Sequence, residues 1–252
     1  DRLVLATGTR PTKLPVPGWE LNGVFTLRTL HDAERIAACL RDDTRLTVVG
    51  GGFIGLEVAA ARPIGSTTTI VESATRLMAR VVSEPVSDYF ARAHQEWGAQ
   101  LLLGETVKSF AGKDGRLRAV ELGTGEVVAT DVAVVGIGAI PNTELATQCG
   151  LKVDNGIVVD AHLRTSDECI WAIGDCANFL STEQQKWMRL ESVQNAVDQA
   201  LCVAHQLTGR RSLQYASVPW FWSTQRDIRL QIAGLTTEAT STVVRHGAVT
   251  GR

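Results

Sequence analysis

Paired cysteines are missing from this sequence. Its 252 residues hold five cysteines, Cys39, Cys149, Cys169, Cys176 and Cys202, which are scattered, odd in number and without a C-x-x-C pair. That pattern argues against a disulfide framework or a structural zinc site. The expectation is buried or partly buried reduced thiols, which suit the cytoplasm. Long uncharged apolar runs are missing too; the glycine-rich stretch around Gly50 carries Glu57, so no membrane span is expected. The first residues lack a secretory signal pattern. Excess charge is absent: a formal net charge of -2 gives no footprint for nucleic acid, although a local basic patch for an acidic partner is compatible with it. Internal repeats and low-complexity tracts are absent. What remains is a globular composition, 44% hydrophobic and 21% charged, long enough for two modest domains or one large one. No motif speaks to oligomeric state.

The strongest positive signal is a glycine-rich turn between an apolar strand and a helix. Leu46-Thr47-Val48-Val49 reads as a buried strand, Gly50-x-Gly52-x-x-Gly55 follows at once, and Phe53 to Ala61 is an apolar helical stretch. A second β-rich run, Thr67 to Val71, ends in Glu72. This is the order of parts in a dinucleotide-binding βαβ unit. Gly50 permits the tight turn, Gly52 lets a pyrophosphate approach the backbone, and Gly55 lets the helix pack close to the strand. The helix N-terminus, opening with Phe53 and Ile54, presents N–H groups and a positive dipole to the phosphates. Glu72 is placed to accept hydrogen bonds from both ribose hydroxyls and to repel a 2′-phosphate, which favours NAD(H) over NADP(H).

The rest reads as α/β. Leu3 to Gly8 is an apolar strand with a tight end. Thr29 to Leu40 reads as a helix with Ile36, Ala37 and Leu40 on one face, and Glu84 to Trp97 as another with Pro85 in its first turn. Leu101 to Leu103 and Val132 to Ile137 read as strands, the latter closed by Gly136-x-Gly138. Residues 105–130 suggest an antiparallel meander with a turn at Gly112-Lys113-Asp114-Gly115. Gly156 to Asp160 and Cys169 to Ile173 read as strands, the second ending in Gly174-Asp175. A helix from Ser192 to Leu207 carries an apolar stripe of Val193, Val197, Ala200, Leu201 and Ala204 and is stopped by Gly209. Leu230 to Leu235 and Ser241 to Arg245 look like strands. Starting in a strand and stopping soon after strands, the sequence is expected to be an internal fragment of a longer protein.

Seven patches carry a family resemblance: LVLATGTRP at 3–11, TLRTLHDA at 26–33, VVGGGFIGLEVAA at 48–60, GIGAIPN at 136–142, IWAIGDCANF at 170–179, RLESVQNAVDQ at 189–199 and PWFWSTQ at 219–225. The chain resembles, over nearly its whole length, the FAD- and NADH-dependent ferredoxin reductases that feed bacterial oxygenases, the putidaredoxin reductase and rubredoxin reductase family. The last two patches point to this subgroup rather than to flavin disulfide reductases at large. The resemblance implies a Rossmann-like NAD-binding domain, residues 10–139, inserted in a partial FAD-binding domain, residues 1–9 and 140–220, with residues 221–252 starting a C-terminal α+β domain. The family's N-terminal glycine unit for the ADP half of FAD is not in this sequence, so the chain is expected to bind NADH better than FAD. Ala61-Arg62-Pro63-Ile64-Gly65 is one residue shorter than the family's usual helix ending, and a shortened helix is expected there.

The resemblance also implies roles. Glu57 would lie near the nicotinamide, though a carboxylate early in a helix is favourable without one. Arg80 would touch the adenosine side, and Gly138 would line the NAD site. Asp175 would hold the ribityl chain of FAD, or simply cap its turn. Val193, after Ser192 at the helix start, would face the flavin pyrimidine, where helix N–H groups stabilise negative charge. Thr7, Gly8 and Arg28 would contact FAD, and Trp220, rather than Trp222, would meet the flavin edge; core packing is the other reading of the pair. The implied activity is electron transfer from NADH through FAD to a ferredoxin or rubredoxin. A disulfide or peroxide reductase of the same fold and a non-catalytic NAD-binding module are the alternatives.

Overall fold

The computed structural model describes residues 1–63, 65–181, 185–210, 214–235, 239, 241–245 and 247. The chain divides into two compact units: residues 1–10, 139–223 and 229–234 form one, and residues 11–138 and 224–228, with the described residues from 235 onward, form the other.

The second unit is built on a five-stranded parallel sheet in the order Val24–Phe25, Val132–Val135, Arg45–Val49, Thr67–Glu72, Ala99–Leu103. The central strands are covered on both faces, which is why they read as near-continuous apolar runs rather than alternating ones. On one face Val49, Val71, Ala133 and Val135 pack with Phe110, Leu117, Val120 and Leu122 of an antiparallel meander, Val107–Lys113, Arg116–Leu122 and Val127–Ala129. The helix Phe53–Ala61 packs against strand Arg45–Val49 at Val48, and Glu84–Glu96 packs against Ala99–Leu103. In the meander's first turn Asp114 and Gly115 sit at φ 53° and 72°, the paired left-handed residues that a two-residue hairpin requires. Arg45 grips Asp131 at both carboxylate oxygens, 2.8 and 2.6 Å, fixing the starts of two neighbouring strands. That guanidinium holds the Asp131 carboxyl below its ordinary range.

The helix after the glycine turn ends at Ala61 with Arg62 as its C-cap, directly before Pro63; Ile64 lies outside the described residues. Arg62 is buried, and its guanidinium donates to the carbonyls of Ser66 and Trp97. Arg226, in a left-handed turn between strands Trp220–Gln225 and Ile228–Ala233, donates to Ala60 O at 3.2 Å and lies 4.8 Å above the Trp97 ring.

The first unit pairs Leu3–Leu5 in parallel with Ile170–Ala172. A second sheet joins Ile157–Val159, Ala177–Ser181 and Lys186–Met188. Its core is Leu5, Ile157, Val159, Leu163, Trp171, Ala172, Phe179, Val203 and Tyr215.

Four expectations need correction. The helix Val193–Leu207 does not bury its apolar stripe: Val193, Val197, Leu201 and Ala204 are exposed, and Asn195, Gln199 and Val203 face inward. Polar residues can take the inward face because they find backbone hydrogen bonds there. In the helix Leu30–Cys39, Ile36 is buried while Ala37 is exposed; a methyl group gains little from burial. No strand forms over Ser241–Arg245, where Val243 is 91% exposed. Cys39, Cys149 and Cys169 are exposed, Cys176 is buried and Cys202 half-buried.

His94, on helix Glu84–Glu96, is 1% exposed and donates from Nε2 to Gln225 Oε1 at 2.8 Å. Burial holds its pKa below the ordinary 6.5; the Gln225 bond opposes this, and the charges of Arg226 and Arg62 add to it. The unfolded chain therefore takes up a proton near pH 6.5 that the native imidazole refuses. The stability from neutral His94 is complete above pH 6.5 and falls as pH drops below it, by at most about 1.4 kcal/mol per pH unit. Urea unfolding at pH 7.5, 6.5 and 5.5 should show this slope, and His94→Gln should flatten it. An equal slope in both proteins would show that His94 is not its source.

Candidate functional site

Three backbone segments meet at the glycine turn without side chains between them. Gly50 has φ 105°, and a Cβ there would lie 2.4 Å from Gly136 O. A Cβ on Gly55 would lie 2.2 Å from Gly50 O and 3.0 Å from Val48 Cγ1. Gly50 N–H donates to Val71 O at 2.8 Å, and Gly136 N–H to Val49 O at 2.8 Å. These two glycines are thus demanded by the fold. Gly52 is different: a Cβ there would meet nothing within 4 Å. It is the N-cap of helix Phe53–Ala61, its backbone is extended, and it offers no side-chain cap. No acidic residue lies in the helix's first turn. The first-turn N–H groups of a helix have no intrahelical acceptor, so this end is shaped for an anion approaching the backbone.

Glu72 closes the turn from below. Its Oε2 accepts from Gly51 N–H at 2.5 Å, and its Oε1 from Ala74 N–H at 2.7 Å and Ser73 Oγ at 3.2 Å. Gly51 is therefore a third glycine that the fold requires, between Gly50 and Gly52: a Cβ on it would sit 2.7 Å from Leu77 Cδ2 and 3.1 Å from Glu72 Oε2. Met78, at φ 50°, donates its N–H to Gly51 O at 2.9 Å. Arg76 braces the same loop by donating to Ala79 O and Val82 O. The structure thus brings Gly50, Gly52, Phe53, Ile54, Gly55 and Glu72 together. Glu57 is half-buried on the second turn of the helix, and Arg80 is exposed on the braced loop. Gly138, at φ 113°, has its carbonyl engaged by Thr12 N–H.

In the first unit, hydrogen bonds gather the other candidates. Thr7 Oγ1 donates to Asn142 O at 2.6 Å, Asn142 Nδ2 returns to Thr7 O, and Asn142 N–H donates to Gly8 O. Thr9 Oγ1 reaches Asp175 Oδ2 at 3.4 Å. Arg189 donates to Asp175 O at 3.0 Å, and Gln199 Oε1 accepts from Gly174 N–H at 2.7 Å. Ser192 caps the long helix by accepting from Asn195 N–H. Gln194 in the first turn accepts from Trp220 N–H at 3.0 Å. Val193 is 63% exposed, and the Trp220 and Trp222 rings lie 4.9 Å apart, both partly exposed. Arg28 belongs to the second unit, exposed before helix Leu30–Cys39.

Sequence reasoning passed over Gly51, Arg76, Asn142 and Gln199. The adjacency of three glycines was the available signal for Gly51, and the GIGAIPN patch contains Asn142; nothing local marked the other two. Among the described residues no helix is long and apolar enough to cross a membrane.

Comparison with known proteins places this geometry. Residues 1–200 match the family model described as pyridine nucleotide-disulphide oxidoreductase, and residues 220–252 match one described as reductase C-terminal. Rhodocoxin reductase of Rhodococcus erythropolis is 52% identical over 252 residues, all of this chain and 59% of its own length. The solved ferredoxin reductase for the CYP199A2 system of Rhodopseudomonas palustris superposes with a TM-score of 0.95 at 46% identity, over 98% of this chain and 61% of its own. Putidaredoxin reductase, solved as a covalent complex with putidaredoxin, gives a TM-score of 0.90 at 44% identity, over 94% of this chain and 58% of its own. The chain thus spans about three fifths of the length of these relatives. With a side-chain-free helix cap above a carboxylate-clamped glycine turn, and a family match over its first 200 residues, this chain belongs to the pyridine nucleotide-disulphide oxidoreductase family.

Proposed function

We propose that this chain is the NADH-binding and flavin-edge portion of an FAD-containing ferredoxin reductase, which passes electrons to a ferredoxin- or rubredoxin-type iron–sulfur protein serving an oxygenase. The observation that carries the reading is the open Gly52 cap over the Glu72–Gly51 clamp. The relatives are named for such partners, rhodocoxin and putidaredoxin. Those names favour this over a disulfide or peroxide reductase. Scattered cysteines without a C-x-x-C pair fit a cytoplasmic setting.

Gly50, Gly52 and Gly55, with the N–H groups opening the helix at Phe53 and Ile54, would hold the pyrophosphate. Glu72 would hold the ribose. A carboxylate has about four lone-pair sites, and Gly51, Ala74 and Ser73 occupy three of them in Glu72. A ribose diol would fill the fourth and replace the exposed Ser73 hydroxyl, whose 3.2 Å bond is the longest of the three. A 2′-phosphate would meet a carboxylate that the turn cannot move aside. Glu57, Arg80 and Gly138 would complete the NADH site. Thr7, Gly8, Asp175, the helix end at Val193 and Trp220, all of the first unit, would hold FAD, Asp175 at the ribityl chain. When bound, NADH supplies a hydride and FAD takes it up and releases electrons singly. The residues of this chain bind, orient and stabilise charge; none need act as acid, base or nucleophile.

Two substitutions separate fold from binding at the turn. Gly55→Ala should destabilise by about 1–3 kcal/mol, because its Cβ is forced against backbone. Gly52→Ala should cost below about 1 kcal/mol yet weaken NADH strongly. Paired urea unfolding and NADH calorimetry test this; normal NADH affinity in Gly52→Ala would remove the cradle.

Replacing Glu72 with Ala should weaken NADH by about 1.5–3 kcal/mol, roughly tenfold to a hundredfold, and narrow its margin over NADPH. It should also lower stability, since Gly51 and Ala74 lose their acceptor. Glu72→Gln keeps one acceptor oxygen without the charge but turns its NH2 toward the other backbone donor, so it should lose less stability than Glu72→Ala while discriminating less against NADPH. Unchanged preference in both variants would take Glu72 out of the site. Titration of the chain with NADH and with FAD should show NADH binding tighter, because the glycine turn, helix and Glu72 lie in one unit.

A further inference from the structure

We propose that Gln199 is the positioning residue of the flavin-side turn: its side-chain carbonyl holds the Gly174–Asp175 backbone so that the Asp175 carboxylate is presented to the ribityl chain. The inference rests on the FAD reading above. Gly174 is buried at φ 73° and opens the short helical turn Gly174–Cys176. The first N–H groups of such a turn have no acceptor within it. Gln199 Oε1, 2.7 Å away, is the acceptor for Gly174. Arg189 then fixes the Asp175 carbonyl and Thr9 reaches its carboxylate. Without Gln199, the most freely rotating residue type in the chain would set the direction of Asp175.

Packing alone does not explain this glutamine. Gln199 is 0% exposed, and its Nε2 has no hydrogen-bond partner. Its neighbour on the same face, Asn195, is used fully: Nδ2 donates to Leu190 O and Oδ1 accepts from Tyr215 OH. A leucine at 199 would remove an unpartnered amide and add apolar burial, against the loss of one acceptor. What only a glutamine-like side chain supplies is the oxygen at Gly174. Because Gln199 sits on the helix that begins at Val193, one side chain ties together two elements proposed to face the flavin.

The test compares wild type with Gln199→Leu and Gln199→Glu. Three readouts are used: hydrogen exchange at the Gly174 amide without cofactor, FAD affinity by titration, and the absorption spectrum of bound flavin. Gln199→Leu should expose the Gly174 amide to exchange, weaken FAD about tenfold or more and shift the flavin spectrum, with NADH affinity unchanged. Gln199→Glu keeps an oxygen in place and should restore amide protection and most of the FAD affinity. Equal FAD affinity in wild type and Gln199→Leu overturns the proposal, as does equal Gly174 protection. If wild type itself takes up no FAD, the flavin reading fails, and this inference with it.

Discussion

The glycine turn of the second unit is a meeting of backbones: Gly50 O lies 2.2 Å from where a Gly55 Cβ would be, and Gly136 O lies 2.4 Å from where a Gly50 Cβ would be. Strand Arg45–Val49, helix Phe53–Ala61 and the chain leaving Val132–Val135 can converge only because those positions carry no side chains. The parallel sheet needs that convergence, since its central strands are buried on both faces and must turn sharply into their covering helix. Glu72 and Met78 then fix the intervening Gly51 from the carboxylate and loop sides. With its neighbours immobilised, Gly52 is left as a backbone position facing open space. Rigidity around an open cap means that a bound phosphate would find its donors already ordered, which lowers the entropy cost of binding.

The first unit reaches a similar end by other chemistry. Side chains of Asn142, Arg189 and Gln199 reach backbone groups of Thr7, Asp175 and Gly174. Such bonds contribute modestly each, about 0.5–1.5 kcal/mol net, but leaving a buried partner unmet costs more. The loop conformations therefore depend on a few long-range polar contacts, where the second unit depends on steric exclusion. A side chain can be exchanged without filling space, so these loops are more open to alteration by substitution than the glycine turn.

That difference explains what the sequence disclosed. The βαβ unit was legible because tight backbone contacts require glycine at fixed spacing, and doubly covered strands require valine and isoleucine. The turn at Asp114-Gly115 was legible for a similar local reason, its positive φ angles. The clamp of Glu72 on Gly51 was not, because it depends on how strand Thr67–Glu72 lies against the turn, and a carboxylate suited to ribose looks the same with or without that bond. Arg189 and Gln199 were invisible for the same reason: an arginine and a glutamine announce nothing until their backbone partners are brought near.

The helix Val193–Leu207 shows where periodicity misleads. Two stripes run along it, and hydrophobicity favours burying Val193, Val197 and Leu201. The chain buries Asn195, Gln199 and Val203 instead. Burying an amide is unfavourable unless it is hydrogen-bonded, so the inward stripe is selected by partners rather than by polarity: Leu190 O, Tyr215 OH and Gly174 N–H are the groups in need. Burial raises the Tyr215 pKa to about 12, so its hydroxyl remains a neutral donor to Asn195 across ordinary pH. Turning the helix to bury its valines would leave those buried backbone and phenol groups unmet, a larger loss than the apolar area gained. The orientation of the helix, and with it the position of its N-terminus beside Trp220, is thus decided by the unmet hydrogen bonds of its neighbours.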